Sequence, residues 1–296
     1  MKKTIALLFL VVALFTGGNV YAHNFWINLT ESMTHPPGHV TTQLGFGHSL
    51  PVDDLLVGDH GAILIGKYHL VSPDGAAFDL GGIDATPRPP TQSPSKMSVY
   101  QGDLGLRKIA IAQDSMAGGY FVTAESVPMF MTRYVDAKGR MKMAPKAIDE
   151  IKDAKEVVES FRFKSYSKAF FSVGEWTAPK AAGHALEITP LSDMSNIRVG
   201  DLVRFKVEFN GKPVNASAKY IATMTCFSNT FGGPDGFHLS AFVIEGEAQF
   251  RMPTSGQWVA NVLYQEKVEN NPSMKAFQGK CTDVFTSSSV GFTVKP

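Results

Sequence analysis

A mainly β chain, folded as two β-sandwich domains with one amphipathic helix near their junction, is what the sequence predicts. Three observations carry that expectation. Gly 27 and Pro 17 punctuate a chain that also holds 21 Phe, a composition for short strands and turns over long helices. Apolar and polar residues alternate with period two between turn signals such as Asn210-Gly211. The C-terminal part then fits seven short strand patterns into about 110 residues, the arithmetic of an immunoglobulin-like sandwich.

Composition excludes several classes. A hydrophobic share of 44% supplies real cores, and 19% charged residues is too low for a disordered chain. Lys+Arg 28 against Asp+Glu 27 leaves no basic excess for nucleic acid. Two cysteines rule out a disulfide-dense scaffold and any four-cysteine metal site.

The first element is an address. Met1-Lys2-Lys3 is a basic start, Thr4 to Phe15 is uncharged and apolar, and Gly17-Gly18-Asn19 breaks the run. Val20-Tyr21-Ala22 then offers the residue pattern of a cleavage site, so residues 1–22 read as a bacterial secretory signal peptide. The run is shorter than the roughly 20 residues of a membrane span, and no later stretch is apolar enough to cross one. The expected mature chain is residues 23–296 in the periplasm, 274 residues (296 − 22) with a charge of 26 − 27 = −1.

In the N-terminal β domain, 23–178, Phe25, Ile27 and Leu29 alternate with Trp26, Asn28 and Thr30, a first strand with one buried face. Val40 to Phe46 is the second, after a Pro36-Pro37-Gly38 turn. Further strands are expected over Ala62 to Val71, Met97 to Tyr100, Lys108 to Ala112 and Gly119 to Ala124, with an exposed loop from Pro87 to Ser95. Ile148, Ile151, Ala154, Val158 and Phe161 recur at spacings of three and four, which predicts an amphipathic helix over about 145–161. Lys164 to Val173 returns to strand. Thr177 to Gly183 reads as the connection to the C-terminal immunoglobulin-like sandwich, 183–296. Its strands are predicted at Leu186 to Leu191, Leu202 to Phe209, Ala218 to Cys226, Ala241 to Glu245, Glu247 to Met252, Gln257 to Tyr264 and Val284 to Val294. In an oxidising compartment, Cys226 and Cys281 are expected to form a disulfide worth roughly 4 kcal/mol.

Chemistry centres on histidine. Of eight histidines, His23 is singular, because cleavage after Ala22 makes it the mature N-terminal residue. A free α-amine and an imidazole can both be neutral near about pH 7.5. The amine and the near ring nitrogen then close a six-membered chelate on one metal ion, and such nitrogen sets suit Cu(II) or Ni(II). His48 is the expected second ligand: if the first two strands pair antiparallel, the end of the second lies near the start of the first. The plain alternatives are an accidental terminal histidine and a solvated turn residue. His39, with His35 in His-Pro-Pro-Gly-His, and His238, beside a glycine-rich loop, are weaker metal candidates. Met129, Met131, Met141 and Met143 allow a soft-metal reading, but alternating methionines more often fill gaps in a core. Asp53-Asp54 reads as a polar turn, and no nucleophile elbow, phosphate loop or dinucleotide fingerprint is present. The chain therefore reads as a binding protein, not an enzyme.

Several of these stretches together resemble a known family. Ala22-His23-Asn24-Phe25-Trp26 and Gly47-His48-Ser49-Leu50-Pro51 are similar to the start and second-strand end of the bacterial periplasmic component of cobalt/nickel ABC-type uptake, a nickel-uptake-related family of unknown function. Tyr166 to Phe170, Leu186 to Leu191, Val199-Gly200-Asp201, Phe209 to Val214 and Gly256 to Val259 resemble its later strands. The resemblance implies a periplasmic protein holding a divalent transition metal, nickel or cobalt, at His23 and His48, and an inner-membrane metal importer as partner. Two rivals stand beside it: a copper-binding oxidative enzyme with the same chelate, and an envelope interaction module that binds no metal.

Overall fold

The computed structural model describes residues 23–58, 61–215, 222–231 and 238–296. The leader predicted over 1–22 and the histidine at 60 lie outside the described residues.

The architecture is mainly β, built on one large sheet. The strands that matter are β1 (Asn24–Leu29), β2 (Gly38–Gly47), β3 (Ile65–Val71), β4 (Arg107–Ile111), β5 (Gly118–Ser126), β6 (Met129–Asp136), β7 (Met141–Ala144) and β8 (Ala154–Val173). They continue as β9 (Leu186–Pro190), β10 (Leu202–Phe209), β11 (Thr223–Ser228), β12 (Leu239–Phe242), β13 (Glu247–Arg251), β14 (Gly256–Lys267) and β15 (Asp283–Val294). The main path of the large sheet runs β12-β11-β14-β15-β8-β5-β3 and ends on Ala77–Asp79, while β6 adds to β8 and carries β7. A three-stranded sheet, β1-β2-β4, and a four-stranded one built round β9, β10 and β13 are separate.

The two smaller sheets cover opposite faces of the large one, and side-chain alternation shows how. Along β8, Ala169, Phe171 and Val173 pack with Phe25, Ile27 and Leu44 of the three-stranded sheet. Phe170, between them, packs with Leu186, Ile188, Val203 and Phe205 of the four-stranded sheet. Successive strand residues point to opposite faces, so one strand serves two cores. Residues 165–173 are accordingly all buried. Parallel pairing of β8 with β15, from Phe161 opposite Asp283 to Ala169 opposite Gly291, carries the sheet across the 177–183 connection.

Four expectations are corrected. No helix spans 145–161: the chain makes one short 3-10 turn at Ile148–Glu150 and then enters β8 at Ala154. The three/four spacing was met by chance, and pairing of this segment with β6 on one side and β15 on the other overrides it. Val157, Val158, Phe161 and Phe163 suit a strand. Cys226 and Cys281 are free, buried thiols and form no disulfide. Cys226 sits opposite Ala260, whereas the neighbour of Cys281, Thr282, bonds Val268. Eight residues of extended chain, roughly 26 Å, separate those levels, far beyond the ~7 Å Cα spacing a disulfide spans. Finally, β1 is buried on both faces, because Trp26 packs against Leu50 and Val259. Met141 and Met143, expected to fill a core, lie on the edge strand β7 and are exposed.

Candidate metal centre

β1 and β2 pair antiparallel, with Asn24 opposite Gly47 and Leu29 opposite Thr42. That register brings His23 and His48 side by side, with ring centroids 4.6 Å apart and planes inclined at 68°. The Phe46 ring meets His23 edge-on at 4.7 Å. The start of β1 is held against the large sheet. Ser289 Oγ donates to the Phe25 carbonyl at 2.6 Å, and Trp26 Nε1 donates to the Pro51 carbonyl at 3.1 Å. Gly291 leaves room for this approach: a Cβ there would come within 2.1 Å of the Ile27 carbonyl oxygen.

Beyond β2 the chain folds back over its own end. Gly47 has φ of +123°, and a Cβ on it would lie 1.8 Å from Asp53 Oδ1, so the position needs glycine on both counts. The His48 amide donates to Asp53 Oδ1 at 2.9 Å, and the Asp54 amide to the Phe46 carbonyl at 3.2 Å. The fold-back sets one carboxylate behind each ring. Asp54 Oδ2 lies 3.8 Å from Nε2 of His23, and Asp53 Oδ2 lies 4.0 Å from Nδ1 of His48. The side chains are 20% to 35% exposed, half-buried rather than sealed. A cleft of about 380 Å³ opens beside them, lined by both carboxylates, Tyr100 and Leu104.

The other histidines do not join this pair. His39 is exposed near the opposite end of β2. Nine residues separate it from His48, roughly 30 Å of strand. That distance corrects its candidacy. His238 is exposed just ahead of the edge strand β12. Asp53 and Asp54 were legible only as a polar turn, yet they are the groups that back both rings. Among the described residues, no group of three or more His, Cys, Asp or Glu side chains is placed to hold a metal ion. A metal at this position therefore needs a donor outside those side-chain types. The main-chain nitrogen of His23 becomes one when the chain is cut before it.

A second polar cluster lies under the 180–187 segment, on the face of β3, β5 and β8. The register aligns Lys67 with Glu125 and Tyr166, and His69 with Thr123 and Lys168. Lys168, 1% exposed, contacts the Glu187 carboxylate, itself 6% exposed. Glu187 also accepts from the amides of His184 at 2.8 Å and Ala182 at 3.3 Å. Burial pulls the Lys168 ammonium below the usual lysine range. His184 stacks on Tyr166 with centroids 4.5 Å apart, and its Nε2 lies 2.9 Å from Thr123 Oγ1. Burial, then the charge of Lys168, pushes the His184 imidazole down to about 3, so the ring is neutral.

No curated protein matches the chain. Among solved structures, an α-2-macroglobulin from Salmonella is 12% identical with a TM-score of 0.23, covering 93% of this chain, which spans only 15% of that one. A DUF4785 family protein from Legionella pneumophila is 8% identical with a TM-score of 0.21, covering 83% of this chain and 52% of that one. The chicken CNTN1 FN1–FN3 domains are 6% identical with a TM-score of 0.21, covering 91% and 97%. Overlaps this loose bear on neither site. The family model of a domain of unknown function, DUF4198, matches residues 20–266, most of the chain, and the protein belongs to that family.

Proposed function

We propose that the mature chain, cut before His23, binds one divalent transition-metal ion as cargo in the bacterial periplasm. The donors are the α-amine of His23, its Nδ1, and Nε2 of His48. The observation that carries this reading is the pair of carboxylates behind the rings. A six-membered chelate with the amine uses Nδ1 of His23, and Asp54 faces the other nitrogen, Nε2. Asp53 Oδ2 lies 4.0 Å from Nδ1 of His48, on the ring side away from Nε2, and this supports Nε2 as the metal donor. Metal-ligating histidines commonly give their second ring N–H to a carboxylate, which sets the tautomer and raises ligand basicity. Nitrogen donors of this kind suit the late divalent ions. Nickel or cobalt, with an inner-membrane ABC-type importer as the recipient, follows from the sequence resemblance. Copper fits the same donors.

The test compares metal binding by purified protein beginning at His23 with the same protein carrying one extra residue before it. Isothermal titration with nickel, cobalt and copper is expected to show about a hundredfold weaker binding for the extended form, which has lost one chelating nitrogen. Equal affinities would overturn the site. The cleft beside Asp53 and Asp54 favours one second reading, a copper enzyme with an open coordination position. Reductant-dependent oxygen consumption by the copper-loaded mature protein distinguishes it.

A further inference from the structure

The cluster under the 180–187 segment has an excess of donors over acceptors. Lys67 Nζ donates to Glu125 Oε1 at 3.0 Å, and Lys164 Nζ to Glu125 Oε2 at 2.9 Å, so two ammonium groups share one carboxylate. Lys164 is 24% exposed and Glu125 18%, so the Lys164 end of the cluster is shielded, while Lys67 reaches solvent at 58%. The Lys168–Glu187 pair beneath is neutral as a unit and adds none.

His184 lies beside them with one buried ring nitrogen unmatched among the described residues. The neutral ring carries one proton. The Thr123 hydroxyl has a single hydrogen-bond partner among the described residues, Nε2 of His184. That contact uses Nε2 alone, and Nδ1 is the ring atom left over. That nitrogen is buried and has no hydrogen-bond partner. Buried polar groups are seldom left unmatched in a folded protein, and each exception calls for a cause. Two adjoining cavities, about 220 and 550 Å³, are both lined by Lys67, Glu125 and His184. The larger also takes in Lys164 and Tyr166. The larger has the size of a small-molecule site.

We propose that this cleft is a second binding site, independent of the metal centre, for a small molecule bearing an oxyanion. A carboxylate or phosphate group, rich in acceptors, completes what Lys67 and Lys164 lack, since their two ammonium groups share one carboxylate. Two ammonium groups around one carboxylate favour an anion over a cation at this edge of the cleft, on the side away from Glu187 and Glu208. An apolar ligand would leave the remaining positive charge of the two ammonium groups unanswered. The ligand oxygens bind between the lysines, and Glu125 holds both amines in place without neutralising them.

The experiment titrates inorganic phosphate and, separately, succinate into the metal-free mature protein at constant ionic strength, read by calorimetry and by histidine-selective nitrogen NMR. At least one probe is expected to bind saturably and to shift the His184 Nδ1 resonance; which one binds identifies the oxyanion. Lys67→Ala together with Lys164→Ala is expected to weaken that binding about tenfold or more, while Lys155→Ala leaves it unchanged. Lys67→Ala alone removes a side chain that is 58% exposed and serves if the double variant does not fold. Saturable binding by neither probe overturns the site, as does binding that survives loss of the lysines or falls equally in the Lys155 variant. His23→Ala is expected to leave this binding intact.

Discussion

Two regions of the molecule pair basic side chains with carboxylates, and they do opposite things with the same chemistry. At the centre of the large sheet, Lys168 and Glu187 are in direct contact at 1% and 6% exposure, and Glu187 takes two backbone amides as well. At the hairpin end, each histidine stands 3.8 to 4.0 Å from its carboxylate, with side chains 20% to 35% exposed. The buried pair is closed: each group answers the other, and backbone amides take the rest of the carboxylate. The rim pairs are open, with room for a third participant. Burial and spacing, not residue type, separate the contact pair at the centre from the looser pairs at the rim.

Lys168→Met is the sharpest way to break the comparison at its buried end. Removing one partner leaves Glu187 charged and unanswered, an expected loss of about 3–5 kcal/mol in chemical denaturation. A loss below about 1 kcal/mol would mean the pair is not closed. His184 gives the next effect, through acid. Its folded value lies near 3 against an ordinary 6.5, so below that ordinary value the unfolded chain takes up a proton that the folded chain refuses. Stability should therefore fall by about 1.4 kcal/mol per pH unit from this residue alone between roughly pH 6 and 4. His184→Gln should show a shallower slope, and parallel slopes would place the ring in water.

At the rim the signs reverse. Asp53→Asn and Asp54→Asn are expected to change stability by less than about 0.5 kcal/mol and to weaken metal binding about 10–100-fold. Unchanged metal affinity in both would remove the carboxylates from any role in holding the rings. The smallest effect concerns the thiols. Cys226 and Cys281 should react with a thiol reagent only after unfolding, since burial pushes both up and away from the reactive thiolate. Reductant should leave the melting temperature unchanged, and a shift of several degrees would reinstate a disulfide.

How much of this was legible in the chain depends on how local the cause is. The alternation at Phe25, Ile27 and Leu29 and at Val203, Phe205 and Val207 reflects one-sided packing, and those strands are where it places them. Antiparallel pairing of the first two strands was enough to bring His48 to His23. The failures have non-local causes. Ile148, Ile151, Ala154, Val158 and Phe161 satisfy a helical spacing, and only the partners on either side of β8 decide against it. Asp53 and Asp54 look like an ordinary turn. Their aim is set by the backbone of Gly47 and by the fold-back after Pro51, which no residue pattern displays. The interlocking of Lys67, Glu125 and Lys164 likewise requires a three-strand register.

The parallel contact between residues 161–169 and 283–291 has a consequence for biogenesis. A ribosome delivers the first of these segments long before the second, so its edge stays unpaired until almost the last residue emerges. Truncation near Asp283 would thus deprive the early half of a neighbour as well as shortening the late half. Holding chaperones have their greatest leverage during that interval.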